Sequence, residues 1–184
     1  GNVDDESSFQ WTRKYYEPGT FELHCPITAN NMELLRRGNL VWKRGAVEAG
    51  VIESLNLEET SSKAEITAKG RFLSSYMSRR LIRPYYHIED GLVEAAMREI
   101  FSSAAEIPLV SLGEAKGYTE KVTFQATYKN LLTYEEKLAK YSETGFRFRP
   151  DFVNKKIIVE LYRGEDHTAG QGDREHVVFS DAYG

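Results

Sequence analysis

The sequence contains few side chains whose types and spacing could perform chemistry. Its four histidines, His24, His87, His167 and His176, are scattered, and none has the helical or HExxH spacing of a zinc site. The single cysteine, Cys25, follows His24 in a strand pattern, where neighbouring side chains point to opposite faces and do not form a nucleophile–base pair. One cysteine also excludes an internal disulfide and any Cys-based zinc site. We therefore expect no metal and no cofactor.

Carboxylates are the other candidates for catalysis. A glycosidase needs two carboxyl groups about 5–9.5 Å apart. The predicted strands offer such pairs among Glu53, Glu58, Glu59 and Glu65. Any acidic sheet surface offers such carboxyl pairs, so their presence does not indicate a glycosidase. A polar, Gly-rich stretch holds Asp166, His167 and Asp173, which we interpret as a solvated connection rather than a metal or acid–base cluster. The chain lacks nucleotide-binding and serine-nucleophile motifs, and we expect that it is not an enzyme.

Two groups of arginines are more informative. Arg79, Arg80 and Arg83 form a basic cluster after a predicted helix, and over residues 146–149 arginines alternate with phenylalanines. Such alternation is typical of grooves that bind single-stranded nucleic acid. However, 24 basic and 28 acidic residues give a formal net charge of −4, which disfavours nucleic acid and anionic membranes as partners. We interpret the cluster Arg79, Arg80 and Arg83 as a contact with an acidic protein subunit.

The elements that position these residues belong to a chain of ordinary globular composition. Its 184 residues suffice for one domain or two small ones, and 41% of them are hydrophobic. No apolar run approaches the roughly 18 residues of a membrane span. No signal peptide precedes the first strand pattern, so we expect a protein of a reducing compartment.

The first third of the chain shows β periodicity. Strand patterns cover residues 9–15, 20–25, 40–43, 47–57 and 63–68. In the second pattern, Phe21, Leu23 and Cys25 share one face. Gly50 predicts a bulge within the fourth. Five short strands are enough to close a small β-barrel.

Helical periodicity follows, which makes the predicted fold class α+β. We expect helices over 71–81, 89–104 and 130–143, a strand over 122–128, a hairpin over 146–163 and a last strand over 176–180. The predicted domains are a β-barrel (1–72), an α/β domain with two main helices (73–152), and strands that return to a barrel and end prematurely (153–184).

Short motifs follow one another over residues 9–183. They are Trp11 with YYEPGTFEL (15–23), VIE (51–53), KGRFL (69–73) with Arg79-Arg80, GLVE (91–94), YKNLL (128–132), GFRF (145–148), ELYRGED (160–166) and VFS (178–180). Their types and order resemble those of the siphovirus tail-tip hub proteins of the ReqiPepy type.

This resemblance implies a structural role in a phage or prophage tail. Members of this family form a tube-like β-barrel with an inserted α/β domain, and assemble as trimers around the tail axis. It implies a tail-tip or baseplate hub between the tail tube and the distal tail ring, made in the host cytoplasm and located in the virion tail. The implied partners are these rings, the tape-measure protein and further copies of the chain. The resemblance carries no catalytic residues, and because members are about twice as long, we expect an N-terminal part.

The main alternative is a tail module that binds or cleaves host cell-wall glycans. It needs an exposed aromatic platform, for which Trp11 and Trp42 are the candidates. Both tryptophans lie in strand patterns, which favours burial of their rings in a core. A further alternative is an α+β domain of unrelated function.

Overall fold

A computed structural model describes residues 1–60, 64–83, 85–104 and 107–165, and it confirms the predicted mixture of strands and helices. The strands are β1 (Ser8–Thr12), β2 (Thr20–Pro26), β3 (Leu40–Trp42), β4 (Ala49–Glu59), β5 (Ala64–Phe72), β6 (Tyr86–Leu92), β7 (Val110–Leu112), β8 (Lys121–Ala126), β9 (Gly145–Asp151) and β10 (Lys156–Tyr162). The helices are α1 (Ala29–Leu34), α2 (Val93–Ala104), α3 (Leu131–Ser142) and a 3₁₀ helix (Leu73–Arg79). The strand predicted over 176–180 lies outside the described residues.

The first five strands form one antiparallel sheet in the order β1-β2-β5-β4-β3. The predicted alternation in β2 is confirmed, because Phe21, Leu23 and Cys25 are all buried. Leu35, directly after α1, is buried in the same core. Within the described residues β1 and β3 are the end strands of this sheet and do not pair with each other, so the expected small barrel is not closed there.

The predicted bulge in β4 exists, but not at Gly50. The register with β5 shifts between Ile52 and Ser54, so that Glu53 is the extra residue. Gly50 has another role: a Cβ there would lie 2.5 Å from the Phe21 ring, which occupies that space. Gly70 on β5 is equally constrained, since its Cβ would lie 1.8 Å from the Val51 carbonyl oxygen.

The remaining elements form a second body around a larger core. Here β7, β10 and β9 form a three-stranded sheet, β6 and β8 form a two-stranded one, and α2 and α3 pack together beside them. The helix predicted from residue 89 begins at Val93, because Tyr86–Leu92 pair with β8 instead. The helix predicted over 71–81 is only the 3₁₀ helix, since β5 continues to Phe72.

Strand β10 belongs to the sheet of the second body. It pairs with β9 in the predicted hairpin and, in parallel, with β7, because these partners bury Val159 and Leu161 in the second core. Ala49 and Val51 of β4 also belong to the second core, so the outer face of the first sheet carries the second body. The predicted division into three domains stays a prediction.

Candidate interaction surfaces

The structure separates His24 from Cys25, as the strand pattern predicts. His24 lies on the outer face of β2, where its Nδ1 is 2.8 Å from Glu65 and its Nε2 is 2.8 Å from Glu22. Cys25 is fully buried on the inner face, and burial raises the pKa of its thiol to about 11. A thiol with this pKa is not a nucleophile near neutral pH. Cys25 is therefore a core residue.

The four glutamates considered for glycoside hydrolysis differ in their surroundings, and Glu58 lies opposite Glu65 on the neighbouring strand. Glu53 accepts two hydrogen bonds from Arg71, at 2.9 and 2.8 Å, which lower the pKa of its carboxyl group. A general acid needs the opposite shift. Glu65 is engaged by His24, while Glu58 and Glu59 lie on the exposed part of β4. Among the described residues no group of three or more potential ligands could hold a metal. Asp166, His167 and Asp173 lie outside them.

The alternating segment of β9 is not a nucleic-acid groove. Phe146 and Phe148 are buried in the second core, so their rings are not available for stacking with bases. On the other face, Arg147 and Arg149 both donate to Glu160, at 2.9 and 2.7 Å. Both arginines are thus held by one carboxylate of the adjacent strand.

The predicted contact residues Arg79, Arg80 and Arg83 lie at and just beyond the end of the 3₁₀ helix. The guanidinium of Arg79 is 4.8 Å from the centre of the Tyr76 ring, and its Nη2 is 3.8 Å from Glu53. Arg80 is partly buried and donates to the carbonyl of Arg79 at 3.2 Å. Arg83 is exposed. Of the three, Arg79 and Arg83 offer the most accessible charge.

Exposed apolar and aromatic side chains lie close to Arg83 in the chain and on the adjoining segment. Leu81 pairs with Asn130, and the amide of Tyr128 donates to the carbonyl of Ile82 at 2.9 Å, so the two segments lie side by side. Leu81, Tyr85 and Tyr128 are between 45% and 69% exposed. The arginine cluster therefore borders an apolar surface, a combination typical of protein interfaces.

The structure has a second exposed surface that no sequence pattern indicates, and we call it the Trp42 patch. It consists of Leu40, Trp42, Val47, Phe152 and Val153, and exposure ranges from 37% for Val47 to 90% for Val153. The Trp42 and Phe152 rings meet edge to face, with centroids 5.5 Å apart. The expected burial of Trp42 is therefore wrong. Trp11, by contrast, packs 4.4 Å from Phe72 in the first core, as expected.

The position of Trp42 explains its exposure. Leu40 and Trp42 pair with Val51 and Ala49, so all four side chains lie on the outer face of the sheet. The second body covers Val51 and Ala49 on the central strand. On the edge strand β3, Phe152 in the turn between β9 and β10 contacts Trp42. A sequence pattern reports strand alternation but not where the covering body ends.

Four cations surround the Trp42 patch. Lys43 and Arg44 follow Trp42 directly, and Lys155 and Lys156 follow Val153 after one residue. All four side chains are exposed, and none forms an ion pair within the described part of the chain. The patch therefore has four cations beside its apolar centre, while Asp4 and Glu6 line the cleft that Trp42, Lys43 and Arg44 also line.

A third surface is the distal half of β4, Ser54–Glu59, which we call the β4 arm. All six residues are exposed, and β3 pairs with β4 only through Val51. Beyond Ile52 no other strand among the described residues pairs with this edge of β4. Leu55 and Leu57 are 39% and 53% exposed, although they lie on the same face as the buried Ala68 and Ile66. The arm is an open apolar edge that ends in two carboxylates.

None of the described helices is long and apolar enough to cross a membrane.

Comparisons with known proteins give both a family and a fold. The family described as Siphovirus ReqiPepy6 Gp37-like protein matches residues 1–184. No curated protein sequence matches the chain.

Three solved structures share the fold at low sequence identity. The Escherichia coli c3393 protein is a type VI secretion system component described as structurally similar to the T4 tail proteins gp27 and gp5 (TM-score 0.54, 15% identity, 86% of this chain and 45% of that one). Prophage tail protein gp18 of Listeria monocytogenes has a TM-score of 0.59 and 16% identity, over 85% of this chain and 45% of that one. A tail protein of Neisseria meningitidis has a TM-score of 0.55 and 15% identity, over 84% of this chain and 46% of that one. The chain spans about half the length of these structures.

Proposed function

Because the chain belongs to the Siphovirus ReqiPepy6 Gp37-like family of phage tail proteins, we propose that it is a structural component of the tail tip or baseplate hub. In this role it connects the tail tube with the distal tail ring and has no catalytic activity. The observation that carries the proposal is the family match over residues 1–184. The fold supports it, since three solved proteins with this fold are a prophage tail protein, a tail protein and one described as similar to bacteriophage tail proteins.

The proposed role is mechanical. Copies of the protein surround a central channel as a trimer, and the tape-measure protein and the DNA pass through this channel. The negative formal charge suits such a channel, because DNA is itself an anion and is not retained by a surface of the same sign. The exposed apolar surfaces supply contacts for neighbouring tail proteins.

The oligomeric state in solution tests the proposal. Light scattering after a sizing column, over a range of concentrations, is expected to give the mass of a trimer. The same samples are then mixed with the purified tail-tube and distal-ring proteins, and co-elution is expected. A monomer that also fails to co-elute with either ring contradicts the hub function.

Within this proposal, Arg79, Arg80 and Arg83 contact an acidic neighbouring subunit. Their position beside the exposed Tyr85 and Tyr128 supports this assignment. We expect the double variant Arg79→Glu/Arg80→Glu to weaken ring assembly at least about tenfold while circular dichroism stays unchanged. Lys137→Glu is the control variant. Arg98→Glu is not suitable, because Arg98 donates a hydrogen bond to the Gly113 carbonyl inside the fold. Normal assembly of the double variant contradicts the assignment.

The exposed Trp42–Phe152 pair favours a second candidate function, binding of cell-wall glycans. Exposed aromatic rings can form a platform for sugar rings. A pull-down with purified host cell walls separates the two functions, and a zymogram detects cleavage. Binding to the walls that is lost in Trp42→Ala supports the glycan module. A protein that stays in the supernatant when the walls are sedimented supports the hub.

A further inference from the structure

We propose that the Trp42 patch of one copy binds the β4 arm of a second copy of the chain, so that copies associate patch to arm. The inference rests on the proposed hub function, in which copies of the chain are neighbours, and it names the two surfaces that meet. Both surfaces consist of exposed apolar side chains beside unpaired charges, and the charges have opposite signs.

The aromatic rings at the centre of the Trp42 patch are about half exposed. Trp42 is 47% exposed and Phe152 is 56% exposed, although Trp and Phe rings bury large apolar areas when covered. The Trp42 Nε1 donates to the Ala46 carbonyl at 2.8 Å, so the ring is held in place and its polar atom is already satisfied. An apolar segment can therefore cover this ring without losing a hydrogen bond.

The β4 arm has the complementary properties. Leu55 and Leu57 extend an apolar face whose other members are buried, and the backbone edge beside them is unpaired within the described residues. Glu58 and Glu59 at its end have no ion-pair partner in that part of the chain. Glu58 also lies opposite Glu65 on β5, a like-charge pair that a nearby cation would relieve.

Charge complementarity identifies a second copy as the occupant. Lys43, Arg44, Lys155 and Lys156 beside the patch match the charge of the arm, where Glu59 lies on the face of Leu55 and Leu57 and Glu58 lies on the opposite face. The other strongly acidic positions of β4 and β5 are already neutralised, since Glu53 is bound by Arg71 and Glu65 by His24.

One copy does not satisfy both surfaces by itself. Trp42 pairs with Ala49, at the start of β4, whereas Glu59 lies at its end. Ten residues of strand separate these ends by roughly 30 Å. The arm and the patch of one molecule are therefore held apart along a continuous strand, and the contact must form between molecules.

Charge reversal with rescue tests the proposal. The patch variant is Lys43→Glu/Arg44→Glu, and the arm variant is Glu58→Lys/Glu59→Lys. The arm variant places like charges in contact, and the patch variant cancels the positive charge of the patch, so we expect self-association in sedimentation or light scattering to weaken at least about tenfold. In an equal mixture, native patches meet native arms and reversed patches meet reversed arms, so association is expected to return to within about threefold of the wild type.

A matched control separates this effect from net charge. Lys116→Glu/Lys137→Glu changes the charge by the same amount on exposed residues outside both surfaces and is expected to associate like the wild type. Circular dichroism and thermal melting verify that each variant folds. Self-association that survives reversal of either surface, or a mixture that does not recover, overturns the proposal.

A cross-link detects the contact directly. Val153→Cys on one copy and Leu57→Cys on another are expected to form a disulfide faster in a mixture than either variant does alone. The native Cys25 does not interfere because it is fully buried. If no mixed disulfide forms while the chain still co-elutes with the tail tube, the hub function stands and the patch-to-arm contact is refuted. If the patch variant loses only tube binding, a tail-tube protein is the occupant and the proposal is equally refuted.

Discussion

At the scale of single residues, His24 makes the first sheet sensitive to pH. Hydrogen bonds to Glu65 and Glu22 raise the pKa of its imidazole above the usual 6.5. The protonated form is thus favoured by folding. The stability it contributes is complete below pH 6.5 and is lost as the pH rises through the raised pKa.

The corresponding prediction concerns the melting temperature. Between about pH 6 and pH 9 the wild type is expected to lose about 1–3 °C more than the variant His24→Gln, a small effect because solvent screens the pair. Differential scanning fluorimetry over this range measures it. Parallel curves for the two proteins would show that the imidazole does not gain a proton on folding.

Glu135 is a buried carboxyl group in the second core. It is 3% exposed, its Oε1 has no hydrogen-bond partner among the described residues, and burial raises the pKa of the group well above 4.5. Arg98 lines the same small cavity but donates to the Gly113 carbonyl at 2.9 Å. Burial therefore favours the protonated form of Glu135 in the folded protein, and the cost in stability grows as the pH rises above 4.5.

Replacing Glu135 with methionine is expected to stabilise the protein. At pH 8 we expect Glu135→Met to increase the free energy of unfolding by about 1–3 kcal/mol, and at pH 4 to change it much less. Urea unfolding at the two pH values gives the comparison. A variant that is less stable than the wild type at pH 8 would mean that a partner stabilises the carboxylate.

At the scale of elements, Asn130 connects α3 to the 3₁₀ helix. Its Oδ1 accepts from the amide of Thr133 at 3.4 Å and caps α3, while its Nδ2 donates to the carbonyl of Ser78. We expect Asn130→Ala to lower the free energy of unfolding by about 1–2 kcal/mol. Asn130→Asp keeps the cap but loses the donor, so thermal melting should place it between Ala and the wild type. Equal stability of all three proteins contradicts both roles.

Sequence patterns predict those elements whose partners are close in the chain. The alternation in β2 and the hairpin of β9 and β10 are confirmed, because each is specified by its own side chains and a short turn. The start of α2 is predicted too early, since Glu89 and Asp90 are suitable for a helix start but lie in a strand that pairs with β8, some thirty residues later. Pairing with a distant strand overrides such local preference.

The candidate surfaces also differ in whether nearby or distant residues of the chain determine them. The pattern correctly places Cys25 in the core and His24 outside it, so the absence of a Cys–His pair is predictable. The Trp42 patch is not predictable, because it depends on where the second body ends above the first sheet. Phe152, which completes the patch, is 110 residues away from Trp42 along the sequence.

At the scale of the whole molecule, Tyr15 joins the first sheet to the second body. It lies in the connection between β1 and β2, and its hydroxyl group is 3.1 Å from the carbonyl of Glu143 and 3.3 Å from that of Tyr162. The same oxygen accepts from the amide of Gly164 at 2.9 Å. One side chain of the first sheet thus fixes the ends of α3 and β10.

Removing this hydroxyl group should loosen the junction without changing either core. We expect Tyr15→Phe to lower the free energy of unfolding by about 1–2 kcal/mol and to speed hydrogen exchange of the Gly164 amide. Tyr128→Phe, at a tyrosine that is 69% exposed, is the matched control and should change neither. Unchanged exchange at Gly164 in Tyr15→Phe would show that ring packing alone holds the junction.

Strand β4 is long enough to keep the Trp42 patch beside its start and the β4 arm at its end. This separation limits the symmetry with which copies can associate. A two-fold axis through either surface would place cation against cation or carboxylate against carboxylate, so dimers that pair patch with patch or arm with arm are disfavoured. The contact that remains, patch against arm, is either reciprocal in a two-fold dimer or heterologous, and a heterologous series of subunits leaves one unused surface at each of its two ends. The angle between the two surfaces then decides whether the series closes into a ring, and at how many subunits, or continues as a filament.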